Sequence, residues 1–372
     1  MRVVSVKMRD FRSYSRAEAA LGAGVTVVHG PNGAGKSNLL EALYFGCTAR
    51  SPRTRNEREL VRFGAQAARI VVKLDDGERT HELSVGYGTL PGSARAVKLM
   101  SADGAPVGRL LDVEVRPLLS VFLPDRLELL KGPPGMRRAH LDQVVAAIWP
   151  LRESDRREYS RVLAQRNALL GRIRSGRASQ ATLSAWDREL ASAALTLRDH
   201  RAAAASLLAE PFADRAAQLG CSGQATLAYR PRSQASDEDE FVAELQARLP
   251  GDLERGFSSH GPHRDELAIL RDGRELRLYG SQGEQRLALL ALLLAERTVL
   301  ARERRRTPLM LLDDVMSELD SDRRRLLAEE LSSGGQSVIA TTDLAHVPGA
   351  GEARVTRLRV SPGTILQEAL AA

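Results

Sequence analysis

Cysteine is nearly missing from this 372-residue chain: Cys47 and Cys221 stand alone. That leaves no disulfide framework and no metal-ligand spacing, and it fits a reducing compartment. Aromatic residues make up only 4%, too few for base-stacking platforms to dominate a contact with single strands. Long apolar runs are missing too. The longest, LALLALLLA at 287–295, is bracketed by Arg286 and Glu296. It is far shorter than the roughly 20 residues that span a bilayer, so it reads as a buried helix. The opening MRVVSVKMRDFRSY has charges where a signal peptide needs an apolar core. These absences predict a soluble, cytoplasmic protein with no membrane association.

What is present is a globular composition, 43% hydrophobic and 27% charged, with a net charge of +7. The charge is uneven. The first 210 residues carry 33 Lys and Arg against 22 Asp and Glu, and the remainder carries 21 against 25. A basic half fits a polyanionic partner such as nucleic acid; an arginine-rich proteome explains it equally well.

Residues 30–38 read GPNGAGKSN, the phosphate-loop pattern G-x-x-x-x-G-K-[ST]. A short apolar run, Val25 to Val28, precedes it as a buried strand, and Leu39, Leu40, Ala42, Leu43 and Phe45 follow at helical spacing. Gly30, Gly33 and Gly35 let the backbone curl so that successive N–H groups face phosphate oxygens. The following helix adds its positive N-terminal end. Lys36 would reach the β- and γ-phosphates and the Ser37 hydroxyl would bind Mg²⁺. The pattern predicts binding of a nucleoside triphosphate.

Around this loop, residues 1–120 read as strands with turn punctuation: VVSVKMRDF, VTVVHG, ARIVVKLDD, THELSVGYG and AVKLMSADG. From about 125 to 215 helical spacing takes over. Tyr159, Val162, Leu163, Leu169, Leu170 and Ile173 form one stripe, and Leu183, Trp186, Leu190 and Leu197 another, with a Gly–Ser break between. This predicts an antiparallel hairpin with arms of roughly 40 Å. SQASDEDE at 233–240 reads as an acidic loop. Beyond it come a hairpin about Asp272-Gly273, a helix over 281–304, a buried strand LMLLDD, a helix near 322–332, a strand SVIATT and a final strand pair.

PLMLLDD at 308–314 ends a buried strand in two acids, where α/β sheets place ligands. Asp313 is the natural Mg²⁺-side group, and Asp314 is positioned to polarise the attacking water. SQGEQR at 281–286 offers a second anion-binding helix end, more than 240 residues from the first. That separation makes sense if it reaches a nucleotide held by another copy.

Walker A GPNGAGKSN, signature SQGEQR, Walker B LMLLDD, D-loop SELD and switch TTD, in this order, resemble an ABC-type ATPase head. The Lys-Ser-Asn of the first and the Asp-Asp of the third resemble its SMC-like DNA-repair branch. The segments MRDFRSY, NLLEALYF, FLPDRLELLKGPPGMRRAHLD at 122–142, HGPHRDEL at 260–267 and LLDDVMSELD at 311–320 are similar to motifs of the RecF family. The likeness runs through nearly the whole chain.

The resemblance implies an α/β fold: an ABC-type, SMC/RecF-like P-loop ATPase head with an inserted helical lobe containing a short antiparallel helical hairpin. Residues 1–120 and 240–372 would form a composite ATP lobe, and 121–239 the helical lobe. By match, Gly30, Pro31, Asn32, Gly33, Ala34, Gly35, Lys36, Ser37 and Asn38 bind ATP, and Ser37 and Asp313 hold Mg²⁺. Lys36 and Asp314 are catalytic, Asp314 standing in place of the usual Glu. Ser281, Gln282, Gly283, Glu284 and Gln285 form the signature, with Ser281 and Gly283 facing the partner subunit's ATP. Ser317 and Asp320 belong to the D-loop, and Thr342 and Asp343 to the switch. The implied function is weak ATP hydrolysis by an ATP-dependent head-to-tail homodimer. That dimer binds double-stranded DNA near gaps and, with RecO and RecR, helps place RecA during DNA replication, recombination and the SOS response. An ABC transporter ATPase subunit and an SMC-like scaffold with vestigial hydrolysis are the alternatives.

Among the remaining residues, Arg50, Arg53, Arg55, Arg58 and Arg62, Arg137 and Arg138, and Arg172, Arg174 and Arg177 read either as DNA contacts or as solvated surface. His263 reads as a structural hydrogen-bonder to Asp265, Trp149 and Trp186 as core, and Arg12 or Tyr14 as neighbours of the adenine.

Overall fold

A computed structural model describes residues 1–89 and 95–368, save the side chains of 124 and 125. The chain divides into two compact units, 1–126 with 304–372, and 127–303. The division differs from the expected lobes. Residues 240–303, the signature segment among them, fall in the second unit with the helical hairpin.

The first unit contains two sheets. One is antiparallel, in the order Tyr14–Ala20, Arg2–Phe11, Ala67–Asp75, Thr80–Thr89, Ala96–Ala102 and Ala105–Pro106. Its strands alternate buried and exposed residues, as a sheet with one solvated face must. The other runs Thr364–Gln367, Thr356–Ser361, Val25–His29, Ser337–Thr341, Leu309–Asp313 and Leu119–Phe122. All its pairings are parallel except the closing hairpin. Its strands Leu309–Asp313 and Ser337–Thr341 are mainly apolar and buried from end to end. The helix Lys36–Thr48 packs against strands of both sheets. All the strands read in the sequence of this unit are present.

One polar cluster fastens the antiparallel sheet's turns. The His81 ring is buried, with Nδ1 2.7 Å from Asp103 and Nε2 3.0 Å from Asp76. Hydrogen bonds to the Asp103 and Asp76 carboxylates raise the imidazole pKa above its usual value against the nearby Arg79 charge. Backbone N–H groups of Arg79 and Glu78, then His81, hold Asp76 below the carboxylate range, and His81 does the same for Asp103. A raised imidazole pKa stabilises the fold fully below about pH 6.5, and the contribution is lost as pH rises through the folded-state value. The depressed carboxylates act oppositely, losing their contribution as pH falls through their lowered values. As pH rises above about 6.5, the wild-type melting temperature should therefore decline more steeply than that of His81→Asn. Calorimetry across that range checks it; parallel curves would remove the charged clamp.

The second unit is mainly helical: Pro134–Ile148, Glu153–Arg174, Leu183–Gln218, Glu238–Arg255 and Gln282–Arg304, with the small sheet Ala225–Arg230, Glu266–Arg271 and Arg274–Glu275. The hairpin arms are 22 and 36 residues long, so the second reaches about 54 Å rather than the expected length. Two further expectations need correction. SQASDEDE is a loop only to Asp237, whose carboxylate accepts from Glu240 N and caps a helix; Glu238, Asp239 and Glu240 suit its positive end. The hairpin about Asp272-Gly273 has a second strand of only two residues before a helical turn, Leu276–Tyr279. The Glu238–Arg255 helix adds Phe241 and Leu245 to the hairpin core of Tyr159, Val162, Leu190 and Leu197. Arg166, wholly buried, donates from Nε to Asp187 at 2.7 Å and from Nη1 to Ser258 at 2.6 Å. Among the described residues no helix is long and apolar enough to cross a membrane.

Candidate functional site

The two acidic and glycine-rich ends meet because one strand lies between them. Ala340 pairs with Val28 on one side and Asp313 on the other. The phosphate loop and the acids therefore leave the same edge of the parallel sheet, two strands apart, which is about 10 Å. Gly30 has φ 152°, and a Cβ there would lie 2.2 Å from Val360 O; Gly35 has φ 116° and Tyr14 Oη at 2.8 Å. Larger residues at either position would open the cradle.

The helix Lys36–Thr48 starts at Gly35 with no side-chain cap and no acid in its first turn. Its first N–H groups are left for an external anion. Lys36 is buried, and its ammonium donates to Gly30 O at 2.8 Å and Pro31 O at 3.0 Å. Burial lowers its pKa, with Asp314 and Asp313 opposing. Pro31, Asn32 and Gly33 are exposed at the loop crest, while Ala34 is packed beneath it.

Asp313 is buried at its strand's end and accepts a hydrogen bond from Ser37. Burial raises its pKa, and the Asp314 charge adds to the rise. Asp314 takes the left-handed conformation, φ 51°, which short polar residues tolerate, and its Oδ1 is buried without a hydrogen-bond partner. The hard-oxygen set of Ser37 and Asp313, with an unpartnered carboxylate oxygen beside it, fits Mg²⁺ shared with phosphate oxygens and water. When bound, such an ion neutralises charge on the transferring phosphate. Among the described residues there is no cluster of three or more His, Cys, Asp or Glu to hold a metal.

Asn38 donates to Ser13 Oγ at 2.9 Å. Ser317 donates to Asp314 O at 2.8 Å, and Asp320 caps the helix Ser321–Ser332 through Arg323 N. Thr342 follows the strand Ser337–Thr341, and Asp343 caps a turn by accepting from Ala345 N at 2.9 Å. The switch carboxylate thus has a local structural partner.

The expected adenine neighbours are committed elsewhere. Arg12 donates to both oxygens of Glu41, at 2.8 and 2.7 Å, and to Glu59 O. Tyr14 is wholly buried and donates to Gly35 O at 3.0 Å. Sequence reasoning missed Glu41. It is fully buried on the phosphate-loop helix and also bound by Ser51 and Arg53. An acid inside the apolar run NLLEALYF was the signal, because a buried carboxylate needs cationic partners.

In the second unit, Ser281, Gln282 and Gly283 are exposed at the start of the Gln282–Arg304 helix. Ser281 N donates to Glu284 Oε2 at 2.8 Å and Glu284 N to Ser281 Oγ at 3.3 Å, a reciprocal capping box. Arg271 also holds Glu284. Gln285 is buried and donates to Leu276 O and Gly280 O. Glu284 and Gln285 therefore build the segment, and Ser281 to Gly283 present it. Arg137 is buried against Glu266 and three carbonyls, so it is neither solvated surface nor a DNA contact. His263 bonds Tyr159 Oη and Ser258 O rather than Asp265, which instead serves Tyr229 and Arg232 N. Trp149 and Trp186 are only half-buried.

Residues 5–95 match the AAA domain family. Over 98% of its length the chain is 38% identical to the DNA replication and repair protein RecF of Myxococcus xanthus, covering 97% of that protein. The structure is similar to that of the recombination mediator protein RecF-ATPrS in the RecFOR pathway, with TM-score 0.85 and 26% identity. The likeness covers 99% of this chain and 98% of that one. An SMC head bound to the C-winged helix domain of ScpA shares the fold, with TM-score 0.60 and 16% identity over 100% of this chain and 98% of that one. The fold is that of an ABC/SMC-like ATPase head.

Proposed function

The chain belongs to the family of the DNA replication and repair protein RecF, and from that premise we propose that it is an ATP-switched DNA-binding protein of recombinational repair. The observation that carries the reading is the open cradle of the phosphate loop, with Lys36, Ser37 and Asp313 at one sheet edge. Mg²⁺-ATP fits that chemistry. Two copies close head to tail over two nucleotides, the exposed Ser281 and Gly283 of each reaching the γ-phosphate held by its partner. Hydrolysis is slow, because Asp314 reaches water over a shorter arm than glutamate. The closed dimer binds duplex DNA near gaps and works with RecO and RecR in placing RecA, in the cytoplasm. Family membership removes the transporter alternative.

Fluorescence anisotropy on a duplex oligonucleotide, with and without ATP, tests this. ATP should tighten binding about tenfold, within the usual range of coupling between sites. Lys36→Met should bind DNA equally weakly in both conditions. An ATP-independent wild-type affinity would contradict the switch.

A further inference from the structure

The antiparallel sheet of the first unit turns one face inward and the other to solvent. Along Arg2–Phe11, Val6 and Met8 are buried while Lys7 and Arg9 are exposed; along Ala67–Asp75, Ala68 and Ile70 are buried and Arg69 is exposed. The register sets Arg9 directly opposite Arg16 on one side and Arg69 on the other. Three arginines thus leave three adjacent strands in one cross-strand row, within about 10 Å.

Like charges directly opposite one another destabilise a sheet. The neighbouring row avoids this by setting Lys7 opposite Glu18, with an ion pair at 3.3 Å. The arginine row contains no acid. Among the described residues Arg9 has only Asp10, the residue after it, at 4.0 Å, and its side chain is 80% exposed. Arg69 donates from Nε to Ser84 Oγ at 3.1 Å.

The row continues to Gly86, opposite Arg69. A Cβ at Gly86 would meet only Ala68 O, at 3.9 Å. Internal packing therefore does not require glycine there, although glycine weakens a strand. A bare backbone on an outward face admits close approach by an outside surface.

We propose that Arg16, Arg9, Arg69 and the bare strand at Gly86 form a contact surface for the phosphate backbone of duplex DNA. This rests on the DNA-binding function proposed above and gives it a location. Each strand of duplex DNA carries one charge per roughly 3.4 Å of axis, so a 10 Å row spans about three phosphates of a strand. Guanidinium forks match phosphate geometry. Beyond Gly86 the row runs on to the exposed Leu99, a single apolar side chain at its end, while its middle is cationic, unlike the apolar centre that protein partners bury. The charges that repel one another in the free sheet are neutralised on the duplex.

The test uses the full chain with Mg²⁺-ATP and a duplex oligonucleotide, titrated by anisotropy across a salt series. Replacing all three (Arg9→Gln, Arg16→Gln, Arg69→Gln) should weaken binding about tenfold or more and reduce the slope of log affinity against log salt by about 2–3. ATP affinity should not change. Gly86→Thr alters no charge and adds a strand-forming residue, so it should melt no lower than the wild type yet bind DNA more weakly. If the wild type fails to bind duplex, the DNA-binding function falls and this surface with it. If the wild type binds and both variants match it in affinity and slope, this surface alone is overturned.

Discussion

Asp314→Asn is expected to cut ATP hydrolysis by about 10²- to 10⁴-fold, the range over which general-base groups act, while leaving ATP binding within a few fold. Asparagine has the same size and tolerates the left-handed backbone that Asp314 adopts at φ 51°. The cradle of Gly30, Gly35 and Lys36 should therefore persist. What disappears is the carboxylate oxygen that is buried beside Asp313 without a hydrogen-bond partner, the group proposed to draw a proton from water. Binding without turnover should make the closed dimer accumulate. Single-turnover phosphate release checks the first effect, and size-exclusion chromatography in ATP the second. Hydrolysis within tenfold of wild type would assign the base role elsewhere.

Ser281→Arg should abolish ATP-driven dimerisation while the monomer keeps its ATP affinity. Ser281 is exposed and lies in the second unit, whereas the phosphate loop lies in the first. Arginine removes the hydroxyl that accepts from Glu284 N, costing about 1 kcal/mol of local helix stability. It also puts bulk where a partner's phosphate is to dock, a steric block that outweighs the attraction of its charge for phosphate. Ser281→Ala separates the two effects, since it loses the cap and the hydroxyl without adding bulk, and it should still dimerise, more weakly than the wild type, through Gly283. Isothermal titration with a nucleotide analogue, alongside sedimentation, reads both quantities. Dimers of the arginine variant, or loss of ATP binding together with dimerisation, would show that the signature segment does not act on a partner's nucleotide.

Much of this architecture was legible because its signals are local. Val25–His29, the glycine pattern and the helix behind it specify the cradle through backbone geometry alone, and LMLLD is buried enough to read as a central strand. Legibility failed where tertiary partners decide. Arg12 and Tyr14 looked like ligand contacts, but buried Glu41 binds the first and the packed underside of the loop takes the second. Asp237 turned an acidic loop into a helix start through a single cap. The boundary near 240 was misplaced because composition returns to α/β character there, while packing keeps 240–303 with the hairpin. The arginine row was invisible for the same reason: Arg9, Arg16 and Arg69 become neighbours only once the strand register is known.

The central claim is that the phosphate loop is half of a site completed by a second copy. Light scattering of the protein with Mg²⁺ and a slowly hydrolysed ATP analogue tests it most directly. The chain mass is 40.5 kDa; the account predicts that the analogue shifts the particle towards twice that mass and that Lys36→Met shows no shift. A wild-type particle that binds the analogue and keeps the single-chain mass would contradict it.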